Sequence, residues 1–185
     1  MSELAILGGS KTVNTELPPR WPIHSVADAD TARDLILQGE TFDVHGALVV
    51  ARFEELLRQR FRRKHALLVN TGTSALHSSY FGVGLRPGDE VLVPTITYLT
   101  TVKPLFSLSA VPVFCDCDAV TGNICPDDAE SRITTNTKAI VVTHMWGHPV
   151  DLQRFTKMAD EHGLALIEDC SHAHGSSYYG REVGT

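Results

Sequence analysis

Five short, almost uninterrupted apolar runs alternate with segments whose apolar residues recur at helical spacing, and this rhythm limits the fold most strongly. The runs are 66–69, 90–93, 111–115, 139–143 and 164–168. Such continuous apolar runs are typical of strands that are buried on both faces, as in a parallel sheet. Their alternation with helices predicts a three-layer α/β fold, in which helices cover both faces of a mostly parallel sheet. Ligands of such sheets bind beyond the carboxyl ends of the strands.

The first part of the sequence predicts an arm followed by two helices. Residues 1–24 are expected to be irregular, because prolines interrupt them, with Trp21 as an apolar anchor. Helical spacing of apolar residues over 29–36 predicts a first helix, which Gly39 ends. A second helix presents one apolar face, made of Val49, Val50, Phe53, Leu56, Leu57 and Phe61.

The composition is that of an ordinary globular chain and argues against several classes of partner. A net charge of −6 in 185 residues argues against binding to nucleic acid or to an anionic membrane. No apolar run reaches about 18 residues, so no membrane span is expected. The N-terminus lacks a secretory pattern and the four cysteines lack CxxC spacing, which predicts reduced thiols and a cytoplasmic location. We expect residues 1–40 to form the arm and first helix, and residues 41–185 to form the domain that carries the sheet.

One polar motif, residues 70–76 (Asn-Thr-Gly-Thr-Ser-Ala-Leu), lies between a predicted strand and a predicted helix. Gly72 lets the backbone approach a ligand closely, while Thr73 and Ser74 offer hydroxyl groups beside the free amides of a first helical turn. This arrangement suits a phosphate group. A serine or threonine cap after a glycine turn explains the same pattern, so the motif alone leaves both interpretations open.

Two further motifs follow predicted strands and suit a planar ring. Tyr98 can stack on a heteroaromatic ring, although a core tyrosine at the start of a helix gives the same pattern. Asp169 can pair with a pyridine nitrogen and keep it protonated, with His172 against the phenolic oxygen or the face of that ring. The alternative is that Asp169 caps a turn and His172 packs beneath the sheet.

Cysteines and histidines near two strand ends raise the alternative of a metal site. Cys170, His172 and His174 alternate, and His144 and His148 follow another predicted strand. A structural zinc site needs four converging ligands, and no CxxC pair accompanies these residues. We therefore expect no metal.

Three motifs at strand ends together predict one cofactor that carries both a phosphate and a pyridine ring. With them, the chain resembles the N-terminal part of the DegT/DnrJ/EryC1/StrS family of aminotransferases, which depend on pyridoxal phosphate (PLP). The segments that carry the resemblance are 71–77, 87–91 with Pro94 and Thr95, 137–140 with 144–147, 168–175 and 180–184. The opening segment 4–10, followed by Trp21 and Pro22, is similar to the branch that acts on a cyclitol ketone, scyllo-inosose.

The resemblance implies the fold-type I aminotransferase architecture and a role for each motif. Residues 72–74 would bind the cofactor phosphate, and Tyr98 would stack on the pyridine ring. Asp169 would pair with the ring nitrogen, and His172 would lie near the phenolic oxygen. Residues 41–185 would then be part of a PLP-binding large domain.

The resemblance also places the catalytic lysine, which forms a Schiff base with the cofactor, beyond residue 185. A further phosphate-binding serine and a small C-terminal domain are expected there as well. No lysine of the sequence matches the motif that carries the family's Schiff-base lysine, and we assign this role to none of them: Lys11, Lys64, Lys103, Lys138 and Lys157.

The activity that the resemblance implies is transamination of a keto sugar or keto cyclitol, with an amino donor. Relatives of this family act as homodimers, so we expect a homodimer or a complex with a complementary chain. Two alternatives remain at this point: a non-catalytic binding or regulatory subunit, and one half of a split aminotransferase that a partner chain completes.

Overall fold

The computed structural model describes residues 3–13, 22–40 and 48–185, which belong to two compact units, Met1–Ala47 and Leu48–Thr185. In the first unit, a short 3-10 helix spans Ala5–Leu7 and helix α1 spans Val26–Leu37. The predicted first helix is thereby confirmed. The predicted anchor, Trp21, lies outside the described residues.

A reciprocal cap explains where α1 begins. The Ser25 side chain accepts a hydrogen bond from the Asp28 amide at 3.2 Å, and the Ser25 amide donates to the Asp28 carboxylate at 2.7 Å. These two bonds satisfy amides that a helix start otherwise leaves unpaired. At the other end, Gly39 adopts a φ of +77°, a left-handed conformation that ends the helix at little cost for glycine.

The second unit alternates helices with parallel strands. Its helices are α2 (Leu48–Phe61), α3 (Gly72–Gly82), α4 (Leu99–Ser107), α5 (Pro126–Ser131) and α6 (Leu152–His162). Its main strands are β1 (Glu90–Pro94), β2 (Val111–Cys115), β3 (Thr137–Thr143) and β4 (Ala165–Asp169). A short hairpin of β5 (Ser177–Tyr178) and β6 (Arg181–Glu182) follows. In the described ranges, every helix falls short of the length and apolar character that crossing a membrane requires.

Strands β1 to β4 form one sheet in the order β2-β1-β3-β4, and all of its pairings are parallel. Two hydrophobic cores lie on opposite faces of this sheet, since neighbouring residues of each strand point to opposite faces. One core joins α3 and α4 to the sheet through residues such as Tyr80, Leu105 and Val141. The other joins α5 and α6 to it through residues such as Ile140 and Phe155. The predicted three-layer α/β fold is therefore confirmed.

One of the five predicted strands is wrong. Residues 66–69 belong to no helix or strand, and they pair with no strand in the described part of the chain. The amide of Leu68 donates instead to the Glu54 carboxylate of α2 at 2.8 Å, and Leu67 is exposed. An apolar run becomes a strand only where a neighbouring backbone supplies the ladder of hydrogen bonds, and here a side chain takes that place. The other four predictions are confirmed, with small changes at the ends.

The core on the α5–α6 side gives a direct test of this architecture. Phe155 is fully buried, so Phe155→Ala should lower the free energy of unfolding by about 3–5 kcal/mol, through lost burial and the cavity that remains. The matched change at exposed Phe81, on α3, should cost less than about 1 kcal/mol. Urea unfolding followed by circular dichroism measures both, and equal effects would contradict the assignment of this core.

Candidate active site

Three of the predicted site residues, Tyr98, Asp169 and His172, lie at the ends of sheet strands or in the segments that follow them. Asp169 is the last residue of β4, and His172 follows in the next turn. Tyr98 directly precedes the first residue of α4, after β1 ends at Pro94. Parallel strands bring such loops to a common edge. The roles of these residues in binding stay predictions.

The Asp169 carboxylate is the buried charge of this edge. The residue is only 7% exposed, and it shares a face of β4 with Ile167, which packs in the α3–α4 core. Its Oδ1 accepts from the amide and hydroxyl of Ser171, at 3.1 and 2.6 Å. Its Oδ2 accepts from the Thr101 hydroxyl at 2.9 Å. One oxygen thus caps a turn, as the alternative interpretation expected, while the other accepts only one hydrogen bond from the described residues and so has a lone pair left for a ring nitrogen.

A chain of threonine hydroxyls leads to this carboxylate, and sequence reasoning missed it. Thr101 accepts from the Thr97 hydroxyl at 2.9 Å, and Thr97 lies 2.9 Å from the Thr143 hydroxyl. Each hydroxyl has one proton, so Thr143 donates to Thr97, Thr97 to Thr101, and Thr101 to Asp169. The donors all point towards the carboxylate and reinforce one another. The concentration of threonines over residues 95–101 was the available signal.

Tyr80 of α3 binds the backbone of the first turn of α4, which contains Thr101. Its hydroxyl donates to the carbonyl oxygen of Thr101 at 2.5 Å. Burial, together with the nearby Asp169 charge, raises the pKa of Tyr80, so this hydroxyl stays protonated and keeps its role as donor. Through Thr101, the structure therefore connects α3, α4 and the end of β4.

The phosphate motif forms the first turn of α3. The side chain of Thr71 caps this helix by accepting from the Ser74 amide at 3.0 Å, and the Ser74 hydroxyl donates to Asn70 at 2.8 Å. Among residues 48–185, none accepts a hydrogen bond from the amides of Gly72 and Thr73. The two interpretations of this motif are therefore compatible: Thr71 is the cap, and two amides remain for an anion at the positive end of the helix.

The ring-binding candidates are accessible. Tyr98 is 68% exposed, so it is not the core tyrosine of the alternative interpretation, and His172 is exposed rather than packed beneath the sheet. A cavity of about 530 Å³ lies elsewhere, between α6 and the β5–β6 hairpin, and the predicted cofactor residues do not line it. The candidate site is therefore an open surface at the carboxyl edge.

A buried carboxylate–histidine pair lies on the opposite face of the sheet from Asp169. Glu168 points to the face of β4 opposite to Asp169, where its Oε2 lies 3.2 Å from Nε2 of fully buried His144. The Val150 amide donates to Nδ1 of His144 at 3.1 Å, so Nε2 carries the proton and donates to Glu168. Burial opposes the charge of Glu168, but the hydrogen bonds from His144 and the Gly184 amide outweigh it and lower the pKa of this carboxyl.

These residues bear on the metal alternative, because ligand atoms of His144, Glu168 and Cys170 lie within 4.8 Å of one another. Both ring nitrogens of His144 are already engaged in hydrogen bonds. Burial, with the Glu168 and Asp169 charges beside it, raises the pKa of the Cys170 thiol to about 12, which disfavours the thiolate that metals require. The arrangement is that of a structural hydrogen-bonded cluster, and the absence of a metal stays a prediction.

Because the pKa of Glu168 is lowered in the folded state, its contribution to the free energy of unfolding should depend on pH. Glu168→Gln should lower the free energy of unfolding at pH 7 by about 1–3 kcal/mol, because a buried donor loses its charged acceptor. A carboxyl whose pKa is lower in the folded state stabilises above its unfolded pKa of about 4.3, and this contribution is lost as the pH falls through the folded value. The difference between Glu168→Gln and the parent should therefore stay constant from pH 7 down to about pH 4.3, and it should shrink as the pH falls further.

Urea unfolding across this pH range measures the effect. The matched control is Glu161→Gln on α6, whose parent carboxylate is more than half exposed beside Lys157, and it should change stability by less than about 0.5 kcal/mol. If the effect of Glu168→Gln is the same at every pH, the ionised carboxylate of Glu168 is not what stabilises the fold.

Comparison with known proteins identifies the family. The sequence profile of the DegT/DnrJ/EryC1/StrS aminotransferase family matches residues 26–185. GDP-perosamine synthase of Escherichia coli O157:H7 is 39% identical over 136 residues, which cover 74% of this chain and 37% of that protein. The L-glutamine:2-deoxy-scyllo-inosose aminotransferase of Streptomyces lividus is 34% identical over 189 residues, covering 98% of this chain and 43% of that protein.

A solved structure shows the same architecture. The S. venezuelae DesV structure, a complex with a ketimine intermediate, superposes with a TM-score of 0.80 at 33% identity and covers 86% of this chain and 42% of that one. The expected fold-type I aminotransferase architecture is thereby confirmed for the part described. The chain spans 37% to 43% of the length of these relatives. The chain belongs to the DegT/DnrJ/EryC1/StrS aminotransferase family.

Proposed function

We propose that this chain forms the cofactor-binding part of a PLP-dependent aminotransferase that acts on a keto sugar or keto cyclitol. The observation that carries the proposal is the buried carboxylate of Asp169, held at the end of β4 by Thr101 and Ser171. It lies at the same edge of the sheet as the start of α4, and it is connected to α3 through the contact of Tyr80 with Thr101.

The residues present suit PLP on chemical grounds. Asp169 presents a carboxylate oxygen with acceptor capacity left, and its surroundings exclude most of the water that would compete for a ring nitrogen. PLP, when bound, supplies a protonated pyridine ring that withdraws electrons from the substrate carbon bearing the amino group. Asp169 would hold the proton on that nitrogen, while the threonine chain holds Asp169 in place.

The other predicted residues would complete the binding surface. The amides of Gly72 and Thr73 would receive the phosphate at the N-terminus of α3, and the Ser74 hydroxyl would join them by turning its proton from Asn70 to the phosphate. The exposed ring of Tyr98 offers a face for stacking, and His172 offers a nitrogen to the phenolic oxygen. These are the functions of binding and orientation. We assign the proton transfer at the substrate to no residue of this chain.

The substrate class rests on the relatives. The names of the matched relatives indicate perosamine synthesis in one case and amination of 2-deoxy-scyllo-inosose with L-glutamine in the other. We propose a cyclic keto polyol as acceptor and an amino acid such as glutamine as donor, in a cytoplasmic protein. The split-enzyme and binding-subunit alternatives predict the same cofactor surface and differ only in turnover. We also keep the division into residues 1–40 and 41–185 as a proposal.

Pyridoxamine 5′-phosphate is the sharpest probe of this proposal, because it binds without forming a bond to a lysine. We expect saturable binding by calorimetry, and weaker binding of pyridoxamine, which lacks the phosphate. Asp169→Asn should weaken binding of the phosphorylated probe by about tenfold or more, since it removes a charge-assisted hydrogen bond. Binding of inorganic phosphate should not change.

The matched control is Asp160→Asn, on the exposed surface of α6. It should leave both affinities unchanged. Thermal unfolding of each variant shows that the comparison is made between folded proteins. Absence of binding by the parent chain, or equal affinities in the parent and Asp169→Asn, would contradict the proposal.

We also propose that a second copy or a complementary chain covers the apolar surface of α2. Val49, Phe53 and Leu56 lie on one side of this helix and are each about half exposed. The terminal strand β2 adds exposed Phe114, and its outer edge pairs with no strand of the described residues. Apolar stripes and open strand edges of this kind favour association.

Light scattering at micromolar concentration tests this association. The parent should have the mass of a dimer or of a larger complex, and Phe53→Ser should shift it towards the monomer, because a polar side chain weakens the apolar contact. The control is Val120→Ser in the loop before α5, a single exposed residue outside the stripe. A monomeric parent would contradict the proposal.

A further inference from the structure

Trp146 is an exposed aromatic residue, close to the end of β3, that has no role in the proposed binding of the cofactor. It lies in the 3-10 helix Met145–Gly147 that follows β3, with φ +52° and ψ +25°. This left-handed conformation is unfavourable for a bulky side chain. The side chain is nevertheless 69% exposed, so burial of the ring is not what stabilises the conformation.

The backbone around Trp146 is held from both ends. The side-chain amide of buried Asn123 accepts from the Met145 amide at 3.1 Å and donates to the His148 carbonyl oxygen at 2.9 Å. On the other side of the loop, the Ser176 hydroxyl donates to the Gly147 carbonyl oxygen at 2.8 Å. Three polar contacts outside the loop therefore maintain a strained backbone that presents an exposed indole.

The indole itself rests on a glycine. A Cβ at Gly122 would lie 2.8 Å from Cζ3 of Trp146, closer than any real contact of this kind. Gly122 also has a φ of +70°, which an ordinary side chain rarely adopts. The backbone of Gly122 therefore contacts one edge of the indole, while most of the residue is exposed to solvent.

The same loop lies directly beside the candidate cofactor residues. The His144 amide donates to the Asp169 carbonyl oxygen at 3.2 Å, two residues before Trp146. A Cβ at Gly147, the next residue after Trp146, would lie 3.4 Å from the carbonyl oxygen of His172. The strained loop therefore joins the segment that carries Asp169 and His172.

We propose that Trp146 is a specificity-determining residue, whose ring receives the C–H face of a cyclic keto polyol. This inference rests on the proposed function, since it names a residue that selects the substrate of the same site. A sugar or cyclitol ring has polar hydroxyl edges and an apolar face of C–H groups, and a large aromatic surface suits that face. A linear keto acid has no such face and gains little from the indole. Selection for a ring gives a reason to keep a strained, exposed tryptophan at this position.

Fluorescence of Trp146 gives a direct readout that does not depend on turnover. The chain has two tryptophans, so Trp21→Phe leaves Trp146 as the sole indole. With pyridoxamine 5′-phosphate present, scyllo-inosose should change the Trp146 emission saturably, and 2-oxoglutarate should not. An emission that does not respond to scyllo-inosose would overturn the inference.

Calorimetry of variants separates contact from folding. Trp146→Asn keeps a residue that tolerates the left-handed conformation but removes the ring, and it should weaken scyllo-inosose binding by about tenfold. Trp146→Phe should lie between Trp146→Asn and the parent. The control is Phe106→Ala, which removes an exposed ring in the last turn of α4, away from the carboxyl edge, and should bind like the parent.

The two proposals fail in different ways. Binding of pyridoxamine 5′-phosphate should be the same in the parent and in Trp146→Asn. If that probe does not bind the parent, the proposed function fails. If the probe binds but scyllo-inosose binds the parent and Trp146→Asn equally well, or binds neither, the role of Trp146 is overturned.

Discussion

The carboxyl edge of the sheet depends on one buried carboxylate, that of Asp169. A charge with so little access to water requires donors from its own chain, and Ser171 and Thr101 supply them. Thr101 can do so only because α4 begins beside β4 and because Tyr80 of α3 holds its backbone. A single polar requirement therefore connects three elements that lie far apart in sequence.

The alternation of side chains along β4 separates two kinds of chemistry. Asp169 faces α3 and α4 together with Ile167, whereas Glu168 faces the opposite core and pairs with His144. On our proposal, the first carboxylate would receive the ring nitrogen of the cofactor. The second carboxylate accepts from His144 and thereby holds the loop after β3, whose Val150 amide bonds to the same ring. It also accepts from the Gly184 amide near the end of the described chain. Neighbouring acidic residues thus have different functions because a strand points them apart.

Cofactor binding and substrate selection are proposed for different parts of the carboxyl edge. Strand ends and helix starts position Asp169 and the first turn of α3, which suit a feature common to the family, the cofactor. Loops with bare glycine neighbours and unusual backbone, such as that of Trp146, can change without disturbing the sheet. On our proposals, the relatives share the cofactor-binding strand ends and helix starts, and loops such as that of Trp146 determine the choice of keto substrate.

The amino-acid sequence by itself determined the fold class, because the alternation of several continuous apolar runs with helical spacing favours a buried parallel sheet between layers of helices. It also determined where Asp169, Tyr98 and the start of α3 lie relative to their strands and helices, since these are local properties. Residues 66–69 were wrongly predicted as a strand, because pairing depends on a neighbour that the local pattern cannot reveal.

Tertiary structure alone decided which distant groups meet. The threonine chain from Thr143 to Asp169, the His144–Glu168 pair and the support of Trp146 by Gly122 all join segments that the chain separates. Apart from the concentration of threonines over residues 95–101, the sequence offered the residues for each of them but no local signal of contact. The physical reason is that these hydrogen bonds and packing contacts exist only after the parallel strands have brought their loops to one edge.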